Sequence, residues 1–254
     1  MPESPAPYLL KVWRNLVVVV MLLVGLLIAV SLLGWLSQGA RSAVSMRWNR
    51  LVVRGLGVRL AVSGQTNLPD RPVLFVCNHI SWLDIPVIAS VRPMRFVSKD
   101  DVRDWPVMGW LAARVGTLFL NRSNGRAAHR MAATLGEVLR GGDRIVIFPE
   151  GTTTDGRNVL PFKPMLLQSV IDAGGCVVPL SLHYSDHTAA VTTATAFIGE
   201  MTFVDTLRNI VAVRGLTAEV CFHPPIDSVG MERNELAALS EAVVAQAVAA
   251  RIAA

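Results

Sequence analysis

The chain has 254 residues, room for one α/β domain with a full core and a short extra element, and little room for two large domains. Hydrophobic residues make up 52% and charged ones 17%, more apolar than a soluble domain usually is, so part of the chain is expected to meet lipid. The net charge of +5 rests on 21 arginines against three lysines; with no basic run and no zinc-finger spacing, it suits an anionic membrane surface or substrate and argues against nucleic acid as a partner.

The first element in chain order is a charge-free run of 21 residues from Leu16 to Leu36, LVVVVMLLVGLLIAVSLLGWL. As a helix it would be about 31 Å long, close to the hydrocarbon thickness of a bilayer. A secretory signal has a shorter apolar region, and Ala40-Arg41-Ser42-Ala43 is a poor cleavage site. Two readings stay open. The run crosses the membrane, or it dips into one leaflet and returns, because Ala40–Leu56 continues as an amphipathic, arginine-bearing stretch. Arg41, Arg47, Arg50 and Arg54 outnumber Lys11 and Arg14, which puts the C-terminal side in the cytoplasm. Residues 1–57 are thus read as a membrane anchor and 58–254 as the main domain.

Beyond the anchor, apolar runs predict strands at Val58–Val62, Val73–Cys77, Arg95–Val97, Thr117–Leu120, Arg144–Phe148, Val177–His183 and Thr217–Phe222. Several are continuous rather than alternating, the mark of strands covered on both faces. Helical patterns fall at Asp84–Ser90, Trp105–Val115, Gly125–Arg140, Lys163–Ala173 and Glu232–Ile252. The fold class is therefore α/β, a mixed and mostly covered sheet flanked by helices, preceded by the anchoring helix. Ala189–Asp205 is the least regular stretch, read as a strand with an excursion. Cys77, Cys176 and Cys221 are widely spaced in apolar surroundings and read as buried thiols.

Three clusters can carry chemistry. In Asn78-His79-Ile80-Ser81-Trp82-Leu83-Asp84, a histidine and an aspartate follow the end of a strand, where sites in α/β sheets collect. Histidine is the side chain suited to act as a base near neutral pH, and a carboxylate on its far nitrogen would fix its tautomer. The competing reading makes Ser81-x-x-Asp84 a helix cap, but Pro86 would then fall inside the helix. In Phe148-Pro149-Glu150-Gly151-Thr152, Gly151 permits close backbone approach, Thr152 offers a hydroxyl and Glu150 an acceptor; the alternative is a plain turn. In Gly116–Arg122, a strand delivers Arg122, whose guanidinium matches a phosphate. Lys163 and Lys99 lie beside these clusters.

NHISWLD, GTLFLNR, FPEGT and Val178-Pro179-Leu180, in that order, together resemble the four-block pattern of the glycerolipid acyltransferases, of which lysophosphatidic acid acyltransferase is the best-known member. The resemblance covers roughly residues 55–225. It implies that His79 and Asp84 are the catalytic pair, with His79 deprotonating a lysolipid hydroxyl that attacks an acyl thioester. It further implies that Asn78, Arg122, Glu150, Gly151, Thr152, Lys163 and Pro179 contribute to substrate binding. No metal or redox cofactor is implied; acyl-CoA or acyl carrier protein is the co-substrate, a lysolipid the acceptor, and the cytoplasmic side of a bacterial inner membrane the location. Two departures bear on the acceptor. Asn121 replaces the usual acidic residue, and Thr153-Thr154-Asp155-Gly156 replaces the Arg-Ser of many phosphatidate-forming members. FPEGTTTDG followed by LPFK is similar to enzymes that complete ornithine lipids. A hydrolase is the first rival class, although no Gly-x-Ser-x-Gly occurs; a non-catalytic lipid-binding protein is the second.

Overall fold

The computed structural model describes residues 7–64, 68–120 and 125–253, with the backbone alone for 125–128. The apolar runs line up in one sheet: β1 (Arg59–Ser63), β2 (Val73–Cys77), β3 (Arg95–Lys99), β4 (Leu118–Leu120), β5 (Ile145–Ile147), β6 (Cys176–Ser185), β7 (Thr217–Phe222) and the two-residue β8 (Ile226–Asp227). Their order is β1-β7-β6-β2-β5-β3-β4, with β8 also pairing β6. The pairs β2–β6, β2–β5, β3–β5, β3–β4 and β1–β7 are parallel, whereas β7 and β8 run antiparallel to β6. The sheet is mixed, as expected. Its central strands β2, β5 and most of β6 are buried throughout, which is why they read as continuous apolar runs.

The helices are α1 (Tyr8–Ser31), α2 (Gln38–Gly55), α3 (Asp84–Val91), α4 (Met108–Arg114), α5 (Gly125–Arg140), α6 (Gln168–Asp172), α7 (Phe203–Ala212) and α8 (Arg233–Ala253). Side chains alternate across the sheet and divide the core in two. Val73, Phe75 and Cys77 of β2, with Leu180, Leu182 and Tyr184 of β6, face α3 and the end of α2. Leu74, Val76, Ile145 and Val177 face Leu135 and Leu139 of α5 and Leu236 and Val244 of α8. Although α8 is long and apolar enough to cross a membrane, its Leu236, Ala237, Val244 and Val248 are buried against the sheet. Ala189–Asp205 forms no strand. It folds back over β6, where Thr192 N donates to Tyr184 O at 3.0 Å, and leads into α7, which the sequence reading did not foresee.

The N-terminal apolar run is not a single rod over 16–36. Helix α1 starts earlier, at Tyr8, and stops at Ser31; Leu33–Trp35 form a 3-10 turn, and Ser37 caps α2 by accepting from Ala40 N. α2 runs back along α1, brought close by glycines: a Cβ on Gly55 would sit 2.5 Å from Val17 Cγ1, and one on Gly25 3.0 Å from the Trp48 ring. The hairpin is tied to the body along its length. Near its start, Arg14 Nη1 donates to Val211 O (3.0 Å) and Val213 O (2.6 Å) at the end of α7. At its bend, Gln38 Nε2 donates to Val115 O (3.2 Å). On the return, Arg50 donates to Ser90 O and Val91 O, and Val53 and Leu56 enter the core. Arg14, Gln38 and Arg50 thus hold the hairpin against the body at its start, its bend and its return. Its outer face is apolar: Trp13, Leu16, Val19, Leu23, Leu27, Val30 and Trp35 are exposed.

Candidate active site

Because β2 and β5 are parallel neighbours, with Val76 paired to Ile147, the loops that follow them emerge side by side. One carries His79 and the other Glu150. This is the crevice outside the carboxyl ends of the strands where open α/β sheets place their ligands.

His79 Nδ1 lies 2.7 Å from Asp84 Oδ2. That oxygen also accepts from Ile80 N (2.7 Å) and Ser81 N (2.9 Å), while Oδ1 accepts from Tyr184 Oη (2.9 Å). Every other contact on the Asp84 carboxylate is a donor, so Nδ1 carries the proton and Nε2 is left as the basic nitrogen. Asp84 is 0% exposed, whereas the His79 side chain keeps 19% of its surface open. The cap reading of Ser81 was half right. Asp84 does take the Ser81 N–H, yet the helix itself starts at Asp84, and the Ser81 hydroxyl has no hydrogen-bond partner among the described residues. Pro86 therefore falls in the first turn, whose N–H groups have no intrahelical acceptor in any case.

The second loop holds the first in place. Phe148 stacks on the His79 ring, centroids 4.0 Å apart and planes at 12°. Glu150 Oε1 accepts from His79 N (2.7 Å) and Oε2 from Leu160 N (2.9 Å). Thr154 N donates to His79 O at 2.8 Å. The backbone of His79 is thus gripped on both sides. Glu150 is 2% exposed, and burial raises its carboxyl to about 7 against the opposing pull of those two N–H donors. Gly151 turns the chain at φ 74°, Thr152 faces solvent, and the Thr153 hydroxyl bonds Phe197 O. The strap Leu160-Pro161-Phe162-Lys163 lies alongside: Lys163 N donates to Pro149 O (3.0 Å) and Phe162 N to Glu241 Oε2 on α8 (2.7 Å), with the Lys163 side chain exposed.

Three candidates are not on the open face. Asn78 is 0% exposed; its Nδ2 donates to Leu182 O (2.9 Å) and its Oδ1 accepts from Leu182 N (2.8 Å). Both polar ends are spent on extending the β2–β6 pairing by one rung, so this side chain cannot touch a substrate, and the substrate-binding expectation for it is corrected to a structural one. Glu150, read as an acceptor for a substrate hydroxyl, instead points inward to backbone N–H groups. Pro179 is buried within β6, opposite Val76. Its carbonyl accepts from His223 N, so its missing N–H faces the same side, at the break between β7 and β8 where no ladder bond is required. Arg122 and Asn121 lie outside the described residues; Lys99 is exposed at the end of β3. Sequence reasoning missed Tyr184 and Phe148. Among the described residues no group of three or more His, Cys, Asp or Glu side chains could hold a metal ion.

The protein family model for Acyltransferase matches residues 59–183. A lyso-ornithine lipid O-acyltransferase of Pseudomonas aeruginosa is 35% identical over 205 residues, 80% of this chain and 78% of the relative. One of Rhodobacter capsulatus is 39% identical over 204 residues, 77% and 72% of the two chains. A 1-acyl-sn-glycerol-3-phosphate acyltransferase of Neisseria meningitidis is 34% identical over 185 residues, 72% and 71%. Among solved structures, the 1-acyl-sn-glycerophosphate (LPA) acyltransferase PlsC of Thermotoga maritima superposes with a TM-score of 0.69 over 94% of this chain and 93% of that one, at 24% identity, a likeness of fold.

Proposed function

The chain belongs to the glycerolipid acyltransferase family, and from that premise we propose that it moves a fatty acyl group from an acyl thioester to the free hydroxyl of a lysolipid. The observation that carries this reading is the oriented pair: Nδ1 of His79 is committed to an enclosed Asp84, and Nε2 is left toward the open side. Nε2 takes the proton of the lysolipid hydroxyl as its oxygen attacks the thioester carbonyl. The tetrahedral intermediate then collapses, the C–S bond breaks, and the departing thiolate recovers the proton from Nε2. Asp84 holds the ring and stabilises the imidazolium between the two transfers. The attacking oxygen belongs to the substrate, so no protein nucleophile is needed.

The acceptor is 1-acyl-glycerol-3-phosphate and the product phosphatidic acid, supported by the four sequence blocks and by relatives that carry that name. In this reading Arg122 meets the phosphate, and Gly151, Thr152 and Lys163 line the acceptor side. Lyso-ornithine lipid is the second reading, favoured by a specific feature. Thr153 and Thr154, in place of Arg-Ser, are tied to Phe197 O and His79 O and present no cation, and Asp155 brings an acidic side chain to that loop. Other relatives carry that name. Residues 1–57 act as an anchor, with the hairpin of α1 and α2 seated in one leaflet on the cytoplasmic side, and acyl-CoA or acyl carrier protein is the donor.

The test is acyl transfer by the purified protein in detergent, from radiolabelled acyl-CoA and acyl carrier protein, to lysophosphatidic acid and lyso-ornithine lipid in parallel. His79→Ala is expected to lose about 10²–10⁴ in rate while keeping its fold. Full transfer by that variant refutes the base assignment. Free fatty acid appearing as fast as product under saturating acceptor refutes the transferase reading.

A further inference from the structure

Three of the four donors on Asp84 come from its own loop, and all three point at Oδ2. The only partner of Oδ1 among the described residues comes from a hundred positions away: Tyr184 Oη at 2.9 Å. Strand β6 makes this possible by outrunning its neighbour. Cys77, the last residue of β2, pairs with Leu180, so β6 continues past it through Ser185. Leu182 takes up Asn78 on the way, and Tyr184, two residues further on the same face, reaches the carboxylate. Tyr184 is 1% exposed. Burial, with the Asp84 charge beside it, pushes its hydroxyl well above the usual phenol range, so it is a donor at every working pH.

We propose that Tyr184 is a positioning residue for acyl transfer, fixing the rotation of the Asp84 carboxylate and sharing its charge so that Oδ2 stays on His79 Nδ1. The inference rests on His79 being the base. Without the Tyr184 hydroxyl, Oδ1 is buried with no donor, and the carboxylate charge falls more fully on the His79 contact. The imidazolium is then favoured to higher pH, and the base is available over a narrower range. Among the described residues, the groups that feel the Asp84 charge are His79, Tyr184, Cys77 and Glu150. Burial raises the Glu150 carboxyl to about 7, so a rate profile alone does not isolate His79.

Tyr184→Phe keeps the ring that fills the core and removes one oxygen. The acid limb of kcat/KM against pH is expected to move up by about one pH unit, the shift equivalent to a hydrogen bond to a charged group, with a roughly tenfold loss on the limb and a smaller one above it. KM for both substrates stays as in the parent. The His79 ring titration, followed by NMR and assigned among the five histidines with His79→Ala, moves in the same direction and is independent of Glu150. A second variant preserves the fold in case the first does not. The chain has two tyrosines, so 3-fluorotyrosine in a Tyr8→Phe background labels position 184 alone and supplies a stronger donor; the limb is expected to move down. A loss by the same factor at every pH, with the His79 titration unmoved in both variants, overturns the proposal. Those results stand apart from failure of the acyltransfer reading itself, which is seen in the unmodified protein and in His79→Ala.

Discussion

Replacing Glu150 with glutamine tests whether this carboxyl serves as a buried clamp on the His79 backbone. Its ionisation is raised from about 4.5 to about 7 by burial, while the unfolded chain titrates it near the ordinary value. Between those two pH values the folded protein keeps a proton that the unfolded chain has released. Stability from this group is therefore fully present below about pH 4.5, declines as pH rises through 7, and is flat beyond. The total decline is about 3 kcal/mol, at about 1.36 kcal/mol per pH unit across the window. Glutamine does not titrate, so Glu150→Gln removes that slope. It also has one acceptor oxygen for two N–H donors, His79 N and Leu160 N, and leaving one of them unpaired costs about 1–3 kcal/mol. The variant is thus less stable than the parent near pH 5 and matches or exceeds it near pH 8. Urea unfolding of both proteins in detergent at pH 5, 6, 7 and 8 measures the difference. Parallel stability curves would show that Glu150 does not titrate as a buried clamp, and the reasoning would fail.

Asn78→Ala leaves both backbone groups of Leu182 without partners in a fully buried place, so a loss of about 2–4 kcal/mol in urea unfolding is expected, with KM unchanged in the folded fraction. Gly55→Val puts side-chain atoms where Val17 already sits 2.5 Å from the Cβ position; α2 must part from α1, read as faster proteolysis within residues 8–55 than in the parent. Leu23→Glu with Leu27→Glu places two charges on the exposed apolar face of α1, and vesicle flotation should move the protein from the floating to the soluble fraction with its fold, by circular dichroism, retained.

The sequence was most legible where local pattern and burial agree. Val73–Cys77 and Thr217–Phe222 are strands to the residue, and Gly125–Arg140 a helix to the residue, because the first is buried on both faces, the second alternates, and the third has strong 3.6-residue periodicity. In the N-terminal segment the apolar run and the amphipathic stretch after it were both read, and the structure folds the second back along the first. The break after Ser31 falls inside the apolar run, and the return of α2 sets Gly25 against Trp48 and Gly55 against Val17, pairs too far apart in the chain for a local pattern to show. Helix α7 had a readable signal that was passed over: Thr202 and Asp205 form a capping box, and that spacing stands in the sequence.

The site divides along the same line. Residues with unusual chemistry at strand ends, His79, Asp84 and Glu150, stand out singly, but their roles depend on who meets whom. Glu150 looked like a ligand because a carboxylate after a strand usually meets solvent; it is instead a clamp, because the loop after β5 folds over the loop after β2 and two N–H groups need an acceptor. Asn78 looked like part of the catalytic block and is a rung of the sheet. Tyr184 was missed because the strand was read as Val177–His183 and stopped one residue short of it. In the structure the alternation Leu180, Leu182, Tyr184 puts it on the face that α3 covers, and β6 is longer than β2. A strand that overruns its neighbour at the end where His79 sits presents its last inward residues to that crevice, and a phenol among them is then a donor in search of an acceptor. Asp84 is that acceptor, so the same overrun that extends the sheet through Asn78 gives the Asp84 carboxylate its second partner through Tyr184.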